Sequence, residues 1–274
     1  MYKDYWNLRE KPFDTTPDPR FLYYSQEHEE ALLRLFYTVR ESKGAMVLTG
    51  GYGCGKTVLS RVFLNELAGS RYDVALITNP RYSARELLEE IVYQLGGGEH
   101  GNKSKVELLR SFNELIYMNL TKQRETVVII DEAQAIEDIA TFEELRLLLN
   151  YQQNNKYLLS LILIGQPELR EKLMALPQFV QRLAIRYHIN ALNELDTEKY
   201  LDHRLKVAGA TRPIFDYDVK AMIYKYSEGV PRVINSIADM ALLMAFLEEK
   251  TIIDVPLIRK VMQHIAMETT WSGS

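Results

Sequence analysis

The sequence has a single cysteine, Cys54, so neither an internal disulfide nor a multi-cysteine metal site can form. That thiol count suits a reducing compartment, and a cytoplasmic location is the expectation. Five histidines show no metal-ligand spacing. Positive charge is not in excess: 33 Lys and Arg against 37 Asp and Glu give a net charge of -4, which offers no global attraction for nucleic acid or anionic lipid. Long apolar runs are missing as well. The longest, ADMALLMAFL (Ala238–Leu247), falls short of the roughly 20 residues a membrane span takes. The first residues, MYKDYWNLREKPF, are charged and aromatic and lack the apolar core of a secretory leader. What is present is a globular composition, 47% hydrophobic and 26% charged, sufficient for one large domain or a core with a smaller accessory domain.

Residues 1–25 carry Pro12, Pro17 and Pro19 among aromatics and read as an extended arm. A helical pattern follows from Ser25 to Glu41, with Leu32, Leu33, Leu35, Phe36 and Val39 on its apolar face. Short apolar runs then alternate with helical stretches. AMVLTG precedes a helix from Lys56 to Ala68, and VALITN precedes one from Ser83 to Leu95. After the flexible GGGEHGNK (Gly96–Lys103), Ser104 and Glu107 form a predicted capping box. VVIID (Val127–Asp131) precedes a helix near Ile139–Gln152. LLSLILIGQ (Leu158–Gln166) leads into a helix opened by Pro167, and YHINAL (Tyr187–Leu192) is the last expected strand. Fully apolar strands alternating with helices indicate a parallel sheet covered on both faces. From Asp196 the pattern is helical only, so the expected organisation is an arm (1–25), an α/β nucleotide-binding domain (26–194) and a helical lid (195–274).

Three short segments carry the chemistry. Gly50 to Thr57, GGYGCGKT, match the phosphate-binding pattern G-x-x-x-x-G-K-[ST]. Glycines let backbone N–H groups turn inward around phosphate oxygens, and a helix starting at Lys56 points its positive end at the same charge. The expected nucleotide contacts are Gly51, Tyr52, Gly53, Cys54, Gly55, Lys56, Thr57 and Val58. Lys56 would reach the β- and γ-phosphates, and the Thr57 hydroxyl would ligate Mg²⁺. In VVIIDEAQ, Asp131 ends a buried strand, a poor place for an acid unless a cation satisfies it, and fits the second Mg²⁺ contact. Glu132, immediately after, can orient and deprotonate an attacking water, a need of ATP-hydrolysing enzymes rather than of P-loop kinases. In LILIGQPEL, Gln166 tips a strand; if that strand lies between the other two, Gln166 can sense the γ-phosphate or position the water.

Three arginines are candidates for transition-state charge. Arg182 and Arg186, four residues apart in FVQRLAIRYHI, share a face if the segment is helical, and either can be offered across a subunit boundary. Arg232, in GVPRVIN, sits in the first turn of a helix, where the dipole does not favour a cation; a bound anion, with nucleotide phosphate the obvious one, or a salt bridge would hold it there. Phe13 and His28 either border an adenine or pack on the core. Cys54 has no partner base and no expected catalytic part.

These segments resemble an AAA+ ATPase. The arm YWNLREKPFDTTPDPRFLYYSQEHEEAL together with LTGGYGCGKT, VVIIDEAQ, LIGQPELREKL, QRLAIRYHI and GVPRVIN is similar to the ATPase domain of the ExeA/GspA secretion family, to about Met267. The resemblance implies a three-layer α/β/α P-loop NTPase of the ASCE type, with a five-stranded parallel sheet in the order 5-1-4-3-2 and a C-terminal all-α lid. It also implies ATP or ADP with Mg²⁺ at the subunit boundary of a homo-oligomeric ring or filament. Lys56, Glu132, Gln166, Arg182 or Arg186, and Arg232 would carry the catalytic roles, with Thr57 and Asp131 holding the metal. Members of that family assist assembly of a secretin or pilus-like apparatus, which implies an envelope-assembly partner, and often continue into a transmembrane helix and a peptidoglycan-binding module. The tail TTWSGS reads as a truncated or naturally short version. The same core is similar to the MuB, TniB and TnsC transposition ATPases, so a DNA-binding regulator is the alternative, as is a nucleotide-gated scaffold with little turnover. No dense Lys/Arg run favours DNA: Arg34, Arg40, Lys43, Lys103, Lys105, Arg110, Lys122 and Arg124 are scattered among acids.

Overall fold

A computed structural model describes residues 2–69, 71–98 and 103–269. In chain order the helices are α1 (Tyr2–Tyr5), α2 (Gln26–Arg40), α3 (Lys56–Leu67), α4 (Ala84–Val92), α5 (Lys105–Thr121), α6 (Ile139–Leu148), α7 (Pro167–Met174), α8 (Pro177–Val180), α9 (Glu194–Val207), α10 (Tyr217–Ser227), α11 (Pro231–Leu247) and α12 (Val255–Thr269). The strands are β1 (Ala45–Gly50), β2 (Tyr72–Ile77), β3 (Glu125–Ile130), β4 (Gln152–Gln153), β5 (Lys156–Tyr157), β6 (Leu159–Gly165) and β7 (Leu183–Ile189). Contacts divide the chain into two compact units. One comprises Gln26–Gly51 and Leu59–Ile189; the other comprises Met1–Ser25, Tyr52–Val58 and Asn190–Ser274.

The first unit is built on a five-stranded sheet ordered β2-β3-β6-β1-β7, with every pairing parallel. Counting only these five strands along the chain, the order is 5-1-4-3-2 read from the β7 edge, as the resemblance implies. The central strands β1 and β6 are buried along their whole length, which their unbroken apolar sequences require. Beneath one face, Phe112, Ile116, Leu145 and Leu163 belong to a single continuous core. The capping boxes at Ser83/Glu86 and Ser104/Glu107 fix the starts of α4 and α5. At the β2 edge, the Gln94 side chain takes the place of a neighbouring strand: its amide accepts from the Leu76 N–H at 2.6 Å and donates to the Leu76 carbonyl at 2.9 Å.

The second unit is helical, with α9 to α12 around a core of Leu201, Phe215, Ile234, Ala238 and Leu257. The first residues join it. Trp6 and Phe13 are buried there, the Trp6 indole donates to the Leu242 carbonyl at 3.1 Å, and the Tyr2 hydroxyl bonds Asp239. Burial, with Asp239 adjacent, pushes the Tyr2 phenol well above its usual pKa. Buried Arg204 ties the segment down, donating to the carbonyls of Pro12 at 2.6 Å and Asp14 at 2.9 Å and to the Tyr200 hydroxyl at 2.9 Å.

Several expectations shift. The first residues are not uniformly extended: α1 forms, as does a 3-10 turn at Pro19–Phe21 capped by Asp18. The last strand is Leu183–Ile189, not Tyr187–Leu192; its pairing with β1 ends at Ile189. Helix α6 stops at Leu148 rather than Gln152. A two-stranded hairpin, β4–β5, follows around Asn154 and Asn155, both left-handed with φ of 49° and 62°. The expected loop at 96–103 and the tail at 269–274 fall partly outside the described residues.

Gly229 leaves no room for a side chain. Its φ is +74°, its carbonyl accepts from the Leu192 N–H at 2.9 Å, and an added Cβ would strike the Leu192 carbonyl. At Gly209, with φ of +92°, an added Cβ would meet only the flexible Arg9 side chain. Gly229→Ala is expected to cost about 2–4 kcal/mol and Gly209→Ala about 1 kcal/mol, read by denaturant unfolding of the two variants.

Candidate active site

The sheet sets where the acids emerge. β6 lies between β1 and β3, so the condition attached to Gln166 is met within the first unit. β3 ends at Ile130, and its direction continues into Asp131, whose N–H donates to the Ile77 carbonyl at 2.8 Å. Asp131 is only 5% exposed, and its carboxylate accepts the Glu132 N–H at 2.9 Å. That bond closes a tight bend, and Glu132 takes up a left-handed conformation, φ 53° and ψ 35°, uncommon for a residue with a side chain. The bend keeps Glu132 out of the 3-10 turn that follows at Ala133–Ala135, so the two acids do not simply start a long helix.

Two amides converge on the Glu132 carboxylate. Gln134 Nε2 donates to Glu132 Oε2 at 2.5 Å, and Gln166 Nε2 approaches the same oxygen at 3.4 Å. The Gln134 carbonyl oxygen in turn accepts the Gln166 backbone N–H at 3.0 Å. The Gln166 side chain thus faces Glu132. Lys172 on α7 holds the turn from behind, donating to the carbonyls of Gln134 and Ile136, both at 2.7 Å. The sequence motifs alone assign no part to Gln134. The signal that could have found it is its place in VVIIDEAQ: a long amide on the turn that follows the acids.

In the second unit, the segment Tyr52–Val58 meets the start of α11. Gly53 and Gly55 are left-handed, with φ of 78° and 88°. The Gly53 carbonyl accepts the Arg232 N–H at 3.3 Å, and a Cβ on Gly53 would come within 2.6 Å of the Arg232 Cβ. Lys56, the first residue of α3, is buried at 6% exposure, as is Cys54 at 4%, so the lone thiol is not a surface group. Arg232 has no carboxylate partner among the described residues. Its guanidinium lies over the Tyr52 ring at 4.7 Å and donates to the Tyr52 hydroxyl at 2.5 Å. The salt-bridge alternative for Arg232 is therefore not realised.

The other two arginines are not on a helix. Arg182 lies in the turn between α8 and β7, donating to Asn150 Oδ1 at 3.1 Å, and Arg186 is an exposed residue of β7, donating to the Val180 carbonyl at 2.9 Å. The shared helical face is corrected: alternation through Leu183–Ile189 makes this segment the edge strand. Arg186 lines a cavity of about 600 Å³ with Arg170, Thr49 and His188, and no acid lines it. Phe13 belongs to the helical core, 6.0 Å from Phe215, and His28 is buried in α2.

Comparison with known proteins bears on the family and the fold. Residues 39–173 match the family described as AAA domain. The whole chain is 38% identical, over 281 aligned residues, to General secretion pathway protein A of Aeromonas hydrophila, and spans about half of that protein's length (50%). Among solved structures, Aeropyrum pernix ORC2, determined as ADPNP–ADP complexes, superposes with a TM-score of 0.68 at 18% identity, covering 93% of this chain and 71% of that one. Drosophila ORC bound to DNA superposes with a TM-score of 0.71 at 16% identity, covering 93% and 64%. At such identities these two establish the fold alone. Residues 39–173 are an AAA domain, and over its full length the chain is an ExeA/GspA-like AAA+ protein.

Proposed function

We propose that the chain binds ATP with Mg²⁺ and hydrolyses it, and that copies assemble into a ring or filament in which Arg182 or Arg186 of one copy completes the site of the next. The work done is assembly of a secretion or cell-envelope apparatus, by analogy with the General secretion pathway relative. The observation that carries the proposal is the Glu132 carboxylate, set just past β3 and bonded by amides from its own turn and from the tip of β6. A loop that only held a nucleotide would have no use for a water-directed carboxylate there.

In this reading the backbone of Gly51–Val58 and the Lys56 ammonium bind the phosphates, and residues 195–274 act as the lid that presents Arg232. Mg²⁺ takes oxygen ligands and keeps several waters. The Thr57 hydroxyl and the Asp131 carboxylate are such donors, and among the described residues no group of three or more His, Cys, Asp and Glu forms an all-protein cage. When bound, the ion would neutralise phosphate charge. Glu132 takes a proton from water, the water oxygen bonds to the γ-phosphorus, and the bond from that phosphorus to the β–γ bridging oxygen breaks, releasing ADP. Gln166 orients the water, and the arginines stabilise charge on the transferred group.

The basic residues weigh against the DNA reading. Arg34 pairs with Glu30, Arg124 with Asp73 and Lys105 with Glu144, and the Lys103 ammonium donates to Ser111, so these cations are already engaged. Among the described residues no helix is long and apolar enough to cross a membrane.

Glu132→Gln is expected to keep ATP binding and lower turnover by about 10²-fold or more, measured by fluorescent-nucleotide titration beside phosphate release. Lys56→Ala is expected to weaken nucleotide binding itself in the same titration. Turnover per subunit should rise with protein concentration, and a flat dependence would remove the trans-acting arginine. Double-stranded DNA at low and moderate salt should leave turnover unchanged; strong, salt-sensitive stimulation would shift the assignment to a DNA transaction.

A further inference from the structure

Glu132 uses only one of its two carboxylate oxygens. Both amide donors, Gln134 Nε2 at 2.5 Å and Gln166 Nε2 at 3.4 Å, fall on Oε2, and Oε1 accepts no hydrogen bond among the described residues. A general base needs this division: one oxygen anchored to fix direction, the other with its lone pairs open to a water proton.

The Gln134 amide can face Glu132 in only one way. Its carbonyl oxygen is committed to the Gln166 backbone N–H at 3.0 Å, so its NH₂ points at the carboxylate. Turning the amide over would set an oxygen against Glu132 and an NH₂ against another N–H, losing both bonds. Room for this amide comes from Gly165, the last residue of β6, where an added Cβ would lie 2.7 Å from Gln134 Oε1. The turn bearing Gln134 is itself pinned by Lys172 through two carbonyls.

We propose that Gln134 is the positioning residue of the hydrolytic step: bonded to the tip of β6 on one side and to Glu132 on the other, it aims the free Glu132 oxygen at the water. The inference rests on Glu132 being the base. Gln134 touches neither nucleotide nor water in this role and acts only through Glu132, so it should govern kcat and leave affinity alone.

The test compares Gln134→Ala, the isosteric Gln134→Glu, Gly165→Ala and Glu132→Gln in the full chain, at a protein concentration where the unmodified chain turns over. Steady-state kinetics with MgATP, a fluorescent ADP titration and thermal melting are recorded for each. Gln134→Ala and Gln134→Glu are expected to lower kcat about 10- to 100-fold, with KM and ADP affinity within about twofold of the parent. The glutamate keeps the volume but replaces the NH₂ donor with a second anion, so its loss should equal or exceed that of alanine; recovery of parental kcat by Gln134→Glu would make the role one of packing and overturn the proposal. Gly165→Ala, which displaces Gln134 without altering it, should reproduce the kcat loss of Gln134→Ala. Parental kcat in both Gln134 variants beside an inactive Glu132→Gln would overturn the positioning role and leave Glu132 as the base. Retained turnover in Glu132→Gln would instead remove the base, and the role of Gln134 with it.

Discussion

The parallel register of β3, β6 and β1 is the constraint on which the candidate site depends. Parallel strands deliver their carboxyl ends to one edge of the sheet, and an α/β fold places its ligand-facing groups there. Because β6 lies between β1 and β3, the strand that ends at Gly165 has the acid-bearing strand on one side and the strand that leads to the glycine loop on the other. Buried apolar side chains set this order, and the polar chemistry is confined to the few residues past each strand end.

Those few residues are held by hydrogen bonds rather than by packing. The Asp131 carboxylate accepts the Glu132 N–H, Glu132 adopts a left-handed backbone, Gln134 bridges Glu132 to the start of α7, and Lys172 fastens the turn. Backbone strain at Glu132 persists because each neighbour is separately satisfied. The arrangement also explains a glycine: Gly165 has an ordinary strand conformation, yet its missing side chain is what admits the Gln134 amide.

The helical unit follows a different logic. Its core incorporates the aromatic residues of the first segment, and Arg204 supplies donors to carbonyls that no regular element would satisfy. Arg232 lies in the first turn of α11, where the helix dipole disfavours it, and rests on the Tyr52 ring. A stacked guanidinium on an exposed ring is a weak hold, suited to a side chain whose proposed part is to meet an anion.

The local patterns were readable in the chain itself. Apolar runs marked the strands, the glycine-lysine-threonine run marked the loop, Ser104 and Glu107 marked a helix start, and Asp131 and Glu132 stood out as acids ending a buried strand, because each signal lies within a few neighbouring residues. Where alternation and helical spacing compete, as in Leu183–Ile189, the chain alone does not set the start of the strand; pairing with β1 decides it. The hairpin at Asn154 and Asn155 follows a helical pattern that reads on to Gln152, and the pairing of β4 with β5 is what ends it. The place of Gln134 in VVIIDEAQ marks a long amide beside the acids, but its proposed role depends on β6 packing beside β3 and bringing the Gln166 N–H within 3.0 Å. Sequence determined which groups exist and which elements carry them; the tertiary structure decided which oxygen of Glu132 is held, because hydrogen-bond direction depends on atoms brought together from separate strands.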